Sequence, residues 1–145
     1  MDKIKEQPSN TEAEKALLGS ILLGGTDTYE KAKSWVRTSD TFYSTVHKQL
    51  WQTIQSLYRN KQEIDIVTVL DRFKRLNPNQ EEGISYYVTG LPADVPTSAN
   101  VEEYGKILYE KYLRREVIKS AHKLHTEVHN NHDIEEILST HTRLI

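Results

Sequence analysis

The stretch VHNNHDIEEIL, residues 128–138, decides how this chain is built. Four histidines, His122, His125, His129 and His132, run up to and through it at 3-4-3 spacing. Imidazoles spaced that way on one side of a helix suit zinc or nickel when a third ligand joins them. The paired asparagines offer a second reading, because Asn tolerates left-handed backbone angles and so suits a corner between two helices. Asp133 and Glu136 form an approximate capping box just beyond the pair. Ile134, Ile137, Leu138 and His141 then repeat along one face. The sequence therefore predicts an αα-hairpin turning at Asn130–Asn131. Its second arm runs to Leu144–Ile145 with no Gly or Pro to stop it, as though truncated inside a helix.

Upstream of that corner, nothing breaks a helical pattern from Thr97 to Asn130. Thr97, Ser98 and Asn100 offer N-cap oxygens, and Glu102 and Glu103 place negative charge where the helix dipole favours it. Gly105 is read as tolerated inside the helix. About 30 residues at 1.5 Å each give a helix of about 45 Å, too long for a head of under 100 residues to cover. Val117, Ala121, Leu124 and Val128 recur at 4-3-4 spacing, which suits helix–helix packing. Together with Ile134, Ile137 and Leu138 of the second arm they form the expected self-association seam.

Before the long helix, the pattern is that of a compact multi-helix head. In SNTEAEKALLGSILLGG, Ser9 with Glu12 and Thr11 with Glu14 each fit a capping box, and Gly24–Gly25 marks the stop. Ala13, Ala16, Leu17, Ser20 and Ile21 share one face. A second short helix is expected over Thr28–Trp35, with Ser39–Asp40 capping the next element. The stretch Phe42–Lys61 reads as one helix with a wide apolar stripe of Val46, Leu50, Trp51, Ile54, Leu57 and Tyr58. Ala16, Leu17, Phe42, His47, Trp51 and Ile54 are the expected structural core. His47 has no nucleophile or carboxylate near it in sequence, so it reads as a structural histidine rather than a catalytic base.

Asp65 can cap a helix burying Ile66, Val69, Leu70 and Phe73. The β-branched run Ile64–Val69 also fits a strand, but no second strand is at hand to pair with it. ISYYVTGL reads as a short helix ending near Gly90, and Pro92 and Pro96 exclude regular structure between them. The expected fold is all-α, in three parts: a flexible arm over 1–8, a helical head over 9–95 and a helical hairpin over 96–145.

Composition narrows the chemistry. The chain has 145 residues, 37% hydrophobic and 28% charged, enough for one domain with a real core. It contains no cysteine, which excludes disulfides and thiolate metal sites. MDKIKEQPSN is polar, unlike the apolar core of a signal peptide, and no stretch is long enough to cross a bilayer. A cytoplasmic setting is expected. Net charge is −2, with 12 basic and 13 acidic residues before Val95 and 7 and 8 after it, so neither part is a basic module. Lys111, Arg115, Lys119 and Lys123 do form an i+4 stripe, the basis for an alternative reading as a nucleic-acid-binding module. Glu110 and Glu116 dilute it, and a solvated face with ion pairs is the commoner explanation. For the histidines, Glu127 points elsewhere and no HExxH is present, so an edge position that is solvated or meets a partner is preferred to a metal site. Neither GxxxxGK[ST], GxSxG nor GxGxxG occurs.

TEAEKALLGSIL, FYSTVHKQLWQTIQSL, IDIVTVLDRF and PTSANVEEYGKILYEKYLRREVI, in that order, resemble the N-terminal domain of DnaB-type replicative DNA helicases. The resemblance covers roughly Pro8 to Ile145. Glu12, Ala13, Glu14, Ala16, Leu17, Leu18 and Gly19 occupy the opening helix motif. Phe42, His47 and Trp51 sit where the family has an aromatic, a histidine and a bulky apolar residue. Asp65 and Thr68 fit its D-x-x-T block, and Pro96, Asn100, Tyr104, Arg114 and Arg115 fit the long helix. NPNQEEG is an atypical loop, ISYYVTGL has a single preceding glycine where many members have two, and the histidine row matches no family motif.

The resemblance implies domains that pair through their hairpins, three pairs forming a collar on a hexameric ring. It implies docking of a DnaG-type primase on that collar, with an influence on loader binding. ATP, magnesium and DNA would be handled mainly by a RecA-like motor domain outside this stretch, so no catalysis and no cofactor are expected here.

Overall fold

The computed structural model describes residues 6–141. The flexible-arm expectation for residues 1–5 and the continuation of the last helix to Leu144–Ile145 lie outside the described residues. Within them the elements are all helical. They are α1 (Thr11–Gly24), α2 (Thr26–Ala32), a 3-10 turn at Ser39–Thr41, α3 (Thr45–Arg59), α4 (Ile66–Leu76), α5 (Ile84–Ala93), a 3-10 turn at Ser98–Asn100, α6 (Val101–His129) and α7 (Ile134–His141). The chain divides into two compact units: Ser9–Tyr112, and residues 6–8 together with residues 113–141.

In the first unit, α1 packs on α5, and α3 on α4. Leu17, Leu18, Ile21, Trp51, Ile54, Leu57, Val69, Phe73, Val88, Val101 and Leu108 form a single buried cluster. The Phe42 and Trp51 rings are tilted with centroids 5.7 Å apart, and Tyr29 packs on Trp51 at 5.1 Å. Of the expected core residues, Leu17, Phe42, His47, Trp51 and Ile54 are buried, whereas Ala16 is half-exposed at the edge.

Local chemistry explains the boundaries. The cap of α1 is Asn10, whose side chain accepts from Ala13 N at 2.9 Å, not Ser9 or Thr11 as the sequence suggests. Glu14 is thereby unused at its own helix end. It is buried and spans to α3. Gly25 ends α1 at φ 75°, a left-handed angle that glycine adopts without penalty. Helix α3 starts three residues later than expected, because Phe42 is extended and closes the 3-10 turn.

Asp65 and Thr68 settle the choice between helix and strand for the β-branched run. Thr68 N donates to Asp65 Oδ1 at 2.9 Å, and Asp65 N donates to Thr68 Oγ1 at 3.0 Å, a reciprocal cap that starts α4. Helix α5 runs past Gly90 and takes Pro92 into its last turn.

Gly105 is more than tolerated. A Cβ there would lie 2.8 Å from Trp35 Cβ, so the absent side chain is what lets α6 close on Trp35.

Candidate association site on the helical hairpin

The second unit is built around the corner at Asn130–Asn131. Asn131 has φ 57°, and His132 N donates to Glu127 O at 3.3 Å, reaching back over the last turn of α6 as in a Schellman cap. The α7 backbone then starts from Asp133, whose carbonyl accepts from Ile137 N. His141 Nε2 meets Glu127 Oε2 at 2.9 Å, and Lys123 Nζ is 3.9 Å from the same carboxylate. The hairpin is thus closed by its own side chains. At the other end of the unit, Arg115 Nη1 donates to Pro8 O at 2.8 Å.

The residues expected at the self-association seam divide into two groups. Val117, Ala121, Val128, Ile134 and Leu138 are exposed, with Val117 at 67% and Leu138 at 52%, and Leu124 is half-buried. Ile137 departs from the expectation. It is only 4% exposed and is buried within the chain, so it cannot offer its side chain to a partner as the hairpin stands. Spacing alone could not separate Ile137 from Leu138, since both lie within the stripe. Leu113 and Ile118 are exposed too, at 43% and 42%, and were missed. Leu113 extends the seam by one more i+4 step ahead of Val117, a signal present in the spacing. Between Ala121, Leu124, His125, Val128 and His129 lies a shallow, largely apolar groove of about 350 Å³. Contiguous exposed apolar patches on folded proteins are candidate interaction sites.

The rival features fare differently. Arg115 is buried on Pro8, while Lys119 sits 3.3 Å from Glu116, Lys123 3.9 Å from Glu127 and Lys111 4.0 Å from Glu110. The basic stripe is therefore broken, and its lysines face carboxylates rather than open solvent alone. His122, His125, His129 and His132 are all exposed. Among the described residues, no group of three potential metal ligands is present.

A buried polar centre lies in the first unit, and the sequence reading did not find it. His47 Nδ1 donates to Glu14 Oε1 at 2.7 Å, and His47 Nε2 is 2.5 Å from the Tyr87 hydroxyl. Glu14 also accepts from Tyr43 N at 2.8 Å and Ser44 N at 3.2 Å. Ser44 itself makes no side-chain cap bond, so Glu14 of α1 serves the N-terminus of α3, where the helix dipole favours a carboxylate. His47 has no carboxylate near it in sequence, and its partner comes from 33 residues away. An acidic residue set in the apolar face of α1 was the available signal. Burial of the Tyr87 phenol, reinforced by Glu14 and then Glu12, raises its pKa. Glu14 and His47 are 2% exposed or less and Tyr87 is half-buried, and the contacts tie α1, α3 and α5 together as a brace.

Residues 6–110 match the family described as "DnaB-like helicase N terminal domain". The "Replicative DNA helicase DnaC" of Bacillus subtilis is 32% identical over 133 residues, which are 91% of this chain and 29% of that protein. The "Replicative DNA helicase DnaB" of Treponema pallidum is 32% identical over 89% of this chain and 29% of its own. The chain therefore spans under a third of the length of these relatives. Among solved structures, the N-terminal domain of DnaB helicase from Mycobacterium tuberculosis superposes with a TM-score of 0.86 at 25% identity, covering 95% of this chain and 96% of that one. A DnaB-like replicative helicase, from a study of its interactions with primase, superposes with a TM-score of 0.76 at 27% identity. That match covers 94% of this chain and 32% of the other.

Proposed function

The chain belongs to the family of DnaB-like helicase N-terminal domains, and on that footing we propose that it is the oligomerisation and primase-docking collar of a hexameric replicative DNA helicase. Pairing joins two copies through the hairpin, and three pairs make the collar of the ring. The observation that carries this reading is the row of exposed apolar side chains, Val117, Val128, Ile134 and Leu138, on a hairpin that is already closed. Each large side chain buried on pairing contributes on the order of 1.5–3 kcal/mol before association costs are subtracted.

The other parts of the proposal follow from the family. The collar receives a DnaG-type primase and influences a helicase loader. Duplex unwinding, ATP and magnesium belong to the motor domain of the whole protein, which also makes most of the contacts to DNA, in the cytoplasm. The structural relative studied with primase supports the docking part. For this chain, among the described residues, no helix is long and apolar enough to cross a membrane.

Sedimentation equilibrium tests the pairing. The wild type is expected as a concentration-dependent dimer, and Leu138→Asp or Leu124→Asp as a monomer with unchanged helix content. A wild type that stays monomeric at several hundred micromolar overturns the pairing. Titration with a DnaG-type primase tests the docking separately.

A further inference from the structure

We propose that His125 and His129 form half of a divalent-metal site, completed by the partner's His125 and His129 when two hairpins pair. The inference rests on the pairing reading above and adds a ligand to that interface.

The two imidazoles lie one helical turn apart on α6 with ring centroids 4.5 Å apart and planes tilted by 48°. Residues at i and i+4 are offset by only about 40° round the helix and about 6 Å along it, so both rings reach one point in space. That geometry lets two imidazole nitrogens bind a single ion at about 2.0–2.1 Å. A pair alone holds a metal weakly, and among the described residues no third ligand completes a group with it. The closest carboxylate in sequence, Glu127, is engaged by His141 on the α7 side and by Lys123.

The environment supplies the second argument. His125 and His129 line the same apolar groove as Ala121, Leu124 and Val128. A second hairpin seated there removes water from the ring nitrogens, and buried polar atoms without partners cost free energy. A two-fold axis crossing the groove brings the partner's own pair to the same seam. Four neutral imidazoles then surround one position, a donor set that suits zinc, copper or nickel rather than magnesium or calcium. His122 and His132 do not line the groove and are not part of the site.

The test uses tag-free protein with zinc chloride as the probe. Sedimentation equilibrium with and without zinc is combined with equilibrium dialysis, for the wild type and for His125→Ala, His129→Ala and His122→Ala. The expected result is one zinc per two chains and a dimer dissociation constant lowered at least tenfold. The His125 and His129 variants should lose that effect while still pairing without metal, and His122→Ala should keep it. Dimers indifferent to zinc, or one zinc per chain with no change in pairing, overturn the metal site and leave the pairing intact. A wild type monomeric with and without zinc overturns both.

Discussion

Glu14 and His47 meet at 2.7 Å, and Glu14 also takes the backbone N–H groups of Tyr43 and Ser44. One side chain of α1 thus fixes the point where α3 begins. Removing it deprives the buried His47 imidazole of its acceptor and takes a bond from each of two part-buried backbone N–H groups. Glu14→Ala is expected to cost about 3 kcal/mol or more, since each unsatisfied buried group costs about 1–3 kcal/mol. Glu14→Gln, which keeps an acceptor oxygen, should cost less. Urea unfolding followed by circular dichroism measures both, and a loss below about 1 kcal/mol for the alanine variant would contradict the bracing role.

Two glycines in helices should respond oppositely to alanine. A Cβ at Gly105 would sit 2.8 Å from Trp35 Cβ, so Gly105→Ala must push α6 off Trp35, at about 1–3 kcal/mol. At Gly90 a Cβ meets nothing within 4 Å, and Gly90→Ala should stabilise α5 by about 0.5–1 kcal/mol. Thermal melts of the two variants should move in opposite directions.

Neighbouring residues on α7 should separate folding from pairing. Ile137→Ala empties a buried position and is expected to cost about 2–5 kcal/mol in unfolding. Leu138→Ala changes an exposed side chain and should leave the monomer within about 0.5 kcal/mol, while weakening the dimer. Unfolding at low concentration and sedimentation at high concentration would show the division. Equal effects on both readouts would remove the distinction between the two residues.

Alkaline stability follows from Tyr29 and Tyr87, whose phenols burial holds above the ordinary value. A raised pKa means that the fold favours the protonated phenol. Stability is therefore unaffected well below about pH 10, where both states are protonated, and falls as pH rises through the folded-state values. Melting temperature should decline from about pH 10 upward. In Tyr29→Phe the decline should be shallower, and an unchanged slope would argue against a role for Tyr29.

Several helix starts and stops were legible where their chemistry was adjacent in sequence, although α1 took Asn10 rather than Ser9 or Thr11 as its cap. Gly24–Gly25 as a stop and Asp65 as a cap are read directly, and the corner at Asn130–Asn131 follows from two residues that accept a left-handed angle. The stripe of α3 announces its buried side because apolar spacing and helical period coincide. What stayed hidden depended on distance along the chain. Glu14 looked like a cap residue until the fold carried it to His47, and Gly105 looked incidental until Trp35 was beneath it. At the hairpin, the period identifies a stripe but not which member turns inward, so Ile137 and Leu138 separate only in three dimensions.

The left-handed Asn131 and the Glu127–His141 contact hold α7 against its own α6. An arm joined by a short, clasped corner is poorly placed to trade positions with the same arm of a neighbour. In the proposed pairing, copies should therefore meet as rigid bodies rather than by domain swapping. Their encounter involves no folding step, and rates of assembly should depend on collision and orientation alone.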